Sequence, residues 1–205
     1  PKIKDNNYPF KQLAGAGVVF KFIQAISKKL NLDEKEYLKY LDLVAIGTIS
    51  DIVPLIDENR VIAKLGLKLV EVTKNIGLKT LINSLGYQKI NSMSISFGVA
   101  TRINACGRMG HAEEALKLFL TQDINEAVKL TDKLNEYNRV RQEIEKEIYE
   151  DAISKIETDN IKTKNNTYQM VGVIFLHNLF LYTFACHGFS VFVAVLTLPL
   201  SFNFL

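Results

Sequence analysis

Cysteine is scarce: the 205 residues contain two, Cys106 and Cys186, and neither stands in a Cys-x-x-Cys pair. That excludes a disulfide framework and leaves inert thiols in a reducing, cytoplasmic compartment as the expectation. Charge of either sign is missing from Asn165 to Leu205, since every Lys, Arg, Asp and Glu lies at or before Lys164. Two kinds of sequence are therefore joined near residue 165. No internal repeat and no clear strand pattern precedes that point, which argues against repeat and all-β architectures. An initiating Met is lacking, and Pro1 to Lys11 is polar and turn-like, unlike a signal peptide. The expectation is a fragment of a longer protein.

What is present has the composition of a folded domain. Hydrophobic residues make up 48% and charged residues 23% of the chain, a globular balance. The formal net charge of +3 says little about a polyanionic partner, because a local basic stripe can bind nucleic acid at near-neutral total charge.

Periodicity predicts a mainly α fold. After a loop over 1–13, a helix runs from about Ala16 to Leu30, with Val19, Phe20, Ile23 and Ile26 on one side. A second is expected from Asp33, as N-cap, to about Ile46. Gly47 to Pro54 is expected to be irregular or extended, because Pro54 discourages helix before it. Further helices are expected over Glu58–Thr73 and Leu78–Leu85, the latter ended by Gly86. Ser92 or Ser94 caps the next, which reaches Asn104, and another spans Ala112–Leu120. Asp123 then caps a long helix from Ile124 to about Ile156. Some thirty helical residues span roughly 45 Å, enough to bridge two domains or to pair with another long helix.

Within 41-LDLVAIGTISDIVPLID-57, Asp51 sits in an almost unbroken apolar run. An unpaired carboxylate buried there would cost several kcal/mol. It is either a turn or helix cap, or else a catalytic group or one ligand of a metal whose other ligands lie far away in sequence. Local spacing leaves both readings open. In 102-RINACGRMG-110, Arg102, Asn104 and Arg108 gather with Gly107 and Gly110 at a helix–helix junction. Guanidinium forks and unhindered backbone N–H groups suit phosphate oxygens, and a glycine-rich corner with surface arginines suits the same residues equally well. Glu113 and Glu114 in the next first turn weigh slightly against an anion there. His111 reads as a solvated helix-start residue and Cys106 as packing. The segment 139-RVRQEIEKEIYEDAISK-155 reads as a solvated helix face with charge pairs three or four apart.

Taken together, 15-GAGVVFKFIQAI-26, 42-DLVAIGTISDIVPLIDENR-60 and 102-RINACGRMGHAEEALKLFL-120 resemble, in order and spacing, the RecJ-type single-stranded-DNA exonucleases of the DHH phosphoesterase family. The resemblance covers roughly residues 1–160, and Tyr8-Pro9-Phe10-Lys11 is similar to the segment after the family's Asp-His-His motif. It implies the helical second half of an α/β catalytic domain over 1–122 and a linking helix over 123–157. It also implies that Asp51 is the family's late metal-binding aspartate at a two-metal site for Mn²⁺ or Mg²⁺. Arg102, Asn104 and Arg108 would hold the DNA backbone, and the activity would be 5′→3′ hydrolysis of single-stranded DNA in repair and recombination. The family's Asp-x-Asp, middle Asp and Asp-His-His motifs are absent here, so the chain alone is expected to be inactive. Another DHH phosphodiesterase, acting on short oligonucleotides or cyclic dinucleotides, is the rival within the class.

The resemblance stops near residue 165, where the family's second domain would come next. By length and lack of charge, Met170 to Leu198 is a membrane-span candidate, which a non-enzymatic helical protein with a C-terminal anchor would explain. Its Phe/Leu/Tyr-rich character also suits a shifted reading frame, and we expect the tail over 158–205 to be aberrant.

Overall fold

A computed structural model of the chain describes residues 5–158. The expectations for the hydrophobic tail lie outside the described residues. Among the described residues every regular element is helical, as the periodicity predicts.

Helix α1 (Gly15–Lys29) buries Ala16, Phe20 and Ile23. The expected second helix divides in two, α2 (Lys35–Leu38) and α3 (Leu41–Ser50). Asp33 does serve the first of these, accepting a hydrogen bond from the Lys35 N–H at 2.9 Å. The break has a packing cause. Tyr37 lies edge-on against Phe20 of α1, with ring centroids 5.8 Å apart, whereas the ten residues of α3 run through the core. One straight helix would not satisfy both. All ten residues of α3 are buried, so it is the axis around which α1 and α4 (Asp57–Glu71) pack.

The second half wraps a long helix. Helix α5 (Ile76–Ser84) starts at Asn75, whose Oδ1 accepts from the Leu78 N–H at 2.8 Å while its Nδ2 donates to the Phe119 carbonyl. Gly77 lets α5 touch α8 (Ala112–Leu120): a Cβ built there would stand 1.7 Å from the Leu118 carbonyl oxygen. Asn91, rather than Ser92 or Ser94, caps the next helix, and Ser94 returns the bond in a capping box. That helix begins as α6 (Ser92–Ser94), passes through one π turn (Ile95–Val99) and continues as α7 (Ala100–Arg108).

Helix α9 (Ile124–Thr158) has 35 residues, about 52 Å at 1.5 Å each. Ala127, Leu130 and Leu134 bury its first half against α5, α7 and α8. Beyond Asn138 it carries the expected charge pairs, Arg139 with Glu136 and Glu143, Arg141 with Glu145, and Lys146 with Glu150. No described helix is long and apolar enough to cross a membrane.

Candidate metal and nucleic-acid site

Asp51 comes directly after the last residue of α3 as its C-cap, with its N–H donating to the Gly47 carbonyl at 3.1 Å. The expectation of an irregular Gly47–Pro54 is therefore corrected: helix persists through Ser50, and Pro54 restricts only its immediate predecessor. A carboxylate at this end faces the negative pole of the helix, which opposes it by about 0.3–1 kcal/mol. The position thus favours a cation nearby. One oxygen of Asp51, Oδ1, is shut off from solvent. Ile52, the next residue, has φ of +51°, a strained conformation for a β-branched side chain. This turn carries the chain abruptly out of the core.

A clamp holds the loop beyond Asp51. Asn59, fully buried in the first turns of α4, donates from Nδ2 to the Pro54 carbonyl at 3.0 Å and to the Gln12 carbonyl at 2.7 Å. Its neighbour Glu58 accepts from the Tyr8 hydroxyl at 2.7 Å and pairs with Lys21 of α1 at 2.6 Å. Burial raises the Glu58 carboxyl, but Lys21 and Tyr8 outweigh it and leave the group below its ordinary value. Burial and Glu58 together push the Tyr8 hydroxyl up to about 12. The loop after Asp51, the segment before α1 and the start of α4 are thereby fixed to one another.

The arginine cluster divides. Asn104 and Arg108 stand four residues apart on one face of α7, Asn104 buried and Arg108 half-buried with its Nε closed to solvent. Arg102 points elsewhere: its Nε donates to Asn135 of α9 at 3.1 Å and its Nη1 to the Gly98 carbonyl at 3.2 Å. Burial lowers the Arg102 guanidinium, Tyr87 works against that lowering and Arg141 adds to it. Arg102 thus ties α7 and the π turn to α9, in addition to any contact with an anion.

Cys106 is a packing residue, fully buried, with its Sγ donating to the His111 carbonyl at 2.9 Å. His111 is exposed at the start of α8 and stacks on Tyr137 at 4.8 Å. Asp42, an acid at the opposite end of α3 from Asp51, is buried too. Its Oδ2 accepts from the Thr73 hydroxyl at 2.6 Å and its Oδ1 from the Leu43 N–H at 2.7 Å. Sequence reasoning passed over Asp42, Glu58 and Asn59. Only the order Glu58-Asn59-Arg60 just after Asp51 hinted at the last two.

Among the described residues no three His, Cys, Asp or Glu side chains converge on one point. Asp51 is one carboxylate in a position that suits a metal ligand.

The chain is similar to proteins of known name. The chain is 40% identical over 163 residues to the single-stranded-DNA-specific exonuclease RecJ of Bacillus subtilis, covering 78% of this chain and 20% of that one. It is 32% identical over 169 residues to the enzyme of the same name from Escherichia coli, covering 77% and 29%. The crystal structure of RecJ in complex with Mg²⁺ from Thermus thermophilus superposes with a TM-score of 0.67 at 36% identity, over 72% of this chain and 23% of that one. No family model matches. The chain spans about a fifth to under a third of the length of these relatives. The resemblance drawn from the three sequence stretches is borne out in sequence and in fold.

Proposed function

We propose that this RecJ-like chain is a segment of a metal-dependent, single-stranded-DNA-specific 5′→3′ exonuclease, cytoplasmic and acting in DNA repair and recombination. Residues 1–122 form part of its catalytic domain and 123–157 the helix leading out of it. The observation that carries this reading is the position of Asp51 at the end of a fully buried helix, within a stretch and a fold that match RecJ. The Thermus thermophilus relatives were crystallised with Mg²⁺ or Mn²⁺, which supports either ion as the cofactor.

Asp51 contributes one ligand, and the clamp through Asn59 and Pro54 sets where its loop leaves the core. Asn104 and Arg108 offer hydrogen-bond donors to backbone phosphates from one face of α7. Arg102 acts partly on the strand and partly by keeping α7 in register with α9. The earlier metal-binding motifs of RecJ-type enzymes do not occur in this sequence, so the 205-residue chain is expected not to cleave DNA alone.

Two assays on 5′-labelled single-stranded DNA with Mn²⁺ test this. The purified 205-residue chain leaves the DNA intact, and a protein spanning the full length of the relatives digests it. Asp51→Asn in the longer protein lowers cleavage by more than about a hundredfold, beyond what loss of a group merely supporting a ligand costs. Full activity of that variant would overturn the assignment of Asp51.

A further inference from the structure

A second binding feature lies beside the loop that leaves Asp51. An open pocket of about 240 Å³ is lined by Leu55, Ala63 and Leu67 on its apolar side and by Arg60, Lys64 and Ser92 around them. Arg60 and Lys64 stand four apart on one exposed side of α4, and both line the opening. Some cations are neutralised in place: Lys21, Lys133, Arg139 and Arg141 each face a carboxylate. Among the described residues neither Arg60 nor Lys64 has an ion-pair partner. An apolar floor under two unneutralised cations and a hydroxyl matches a nucleotide: phosphate on the cations, sugar and base on the aliphatic wall. Leu55 is four residues from Asp51, on the short loop that Asn59 holds. The loop that follows Asp51 thus contributes Leu55 to the pocket wall.

We infer that this pocket is a subsite for one nucleotide of the DNA strand, with Arg60 and Lys64 contacting its phosphate and Leu55, Ala63 and Leu67 its sugar and base. The inference rests on the proposal that Asp51 and the α7 residues form a DNA site, and it adds residues to which that proposal gives no role. Arg60 and Lys64 are exposed, so replacing them leaves the core untouched.

The test is fluorescence anisotropy of 5′-fluorescein-labelled dT15 with the 205-residue chain, in EDTA, across a series of NaCl concentrations. Arg60→Ala/Lys64→Ala should weaken binding at least tenfold at 50 mM salt. Each phosphate contact on a single strand contributes a slope of about −0.7 in log K against log salt, so the slope should become shallower by about 1.4. Arg60→Lys/Lys64→Arg should restore both. Thermal melting of each variant at the wild-type temperature separates loss of contact from loss of fold. Unchanged affinity and slope in the alanine variant, while Arg102→Ala/Arg108→Ala loses binding, would overturn the pocket and leave the α7 site standing. Absence of dT15 binding by the wild-type chain would overturn both. Thymidine 5′-monophosphate should displace dT15 only at concentrations far above those of the oligonucleotide; equal potency would make the pocket a free-nucleotide site and overturn the strand assignment.

Discussion

Gly66 of α4 lies so close to Ala45 of α3 that a methyl group added to it would stand 2.2 Å from the Ala45 Cβ. The same atom would be 2.4 Å from the Leu41 carbonyl oxygen. Neither obstacle is a flexible side-chain end, so the two helices would have to separate. Since Asp51 caps the end of α3, the separation would also displace Asp51. Gly66→Ala is expected to destabilise the fold by about 3 kcal/mol, the upper end of overpacking costs. Urea denaturation of the two proteins measures it, and an unchanged midpoint would show that the helices part easily.

Asn59 makes a different kind of tie. Its amide donates to two carbonyls from separate segments, Gln12 and Pro54, in a place where water has no access to the side chain. Asn59→Ala removes both donors and leaves the carbonyls to find water or go without. The expected loss is about 2–3 kcal/mol. Because one of the carbonyls belongs to the loop after Asp51, limited proteolysis should also begin cutting near residues 51–56 in the variant. Intact protection of that loop would show that Pro54 is held by other means.

The thiol of Cys106 tests the packing between α7 and α8. Burial pushes it up to about 11, and its Sγ is engaged by the His111 carbonyl. An ordinary thiol, near 8.5, is about a quarter ionised at pH 8, so Cys106 should hold several hundredfold less thiolate. Iodoacetamide at pH 8, followed by peptide mass spectrometry, should alkylate the Cys106 peptide only after denaturant is added. Rapid modification of the native protein would mean that the α7–α8 corner opens readily.

What the sequence disclosed tracks how one-sided each helix is. Helix α8 appears at the expected bounds, Ala112–Leu120, because its apolar residues line one face and Thr121 and Asp123 end the pattern. Helix α3 is apolar on every side, so it offers no face to read, and its continuation through Gly47–Ser50 was hidden behind Pro54. The π turn at Ile95–Val99 adds one residue to a turn without altering the composition, which leaves no trace in periodicity. The candidate site residues divide in the same way. Asp51, Arg102, Asn104 and Arg108 stand out in the sequence as charged or polar groups in apolar or glycine-rich surroundings. Asn59 stands among Asp57, Glu58 and Arg60, where a polar residue looks solvated, and its burial comes only from the approach of the segment before α1.

Asp42, in the first turn of α3, is a buried acid whose role pH can test. Burial raises the Asp42 carboxyl above its ordinary value of 3.8, although the Thr73 hydroxyl and the Leu43 N–H pull it partly back. The folded state therefore holds the Asp42 proton more tightly than the unfolded chain does. Its stabilising contribution is fully present below 3.8 and is lost as pH rises through the raised folded value. Asparagine keeps an acceptor for the Leu43 N–H and stays neutral throughout, so Asp42→Asn removes this dependence. Thermal melts of both proteins at pH 3.5 and pH 7 isolate it, because the other carboxylates contribute equally to each. The difference in Tm, variant minus wild type, should be more positive at pH 7 than at pH 3.5. A difference that moves the opposite way would mean that the two hydrogen bonds outweigh burial, and that Asp42 is a carboxylate the fold prefers charged.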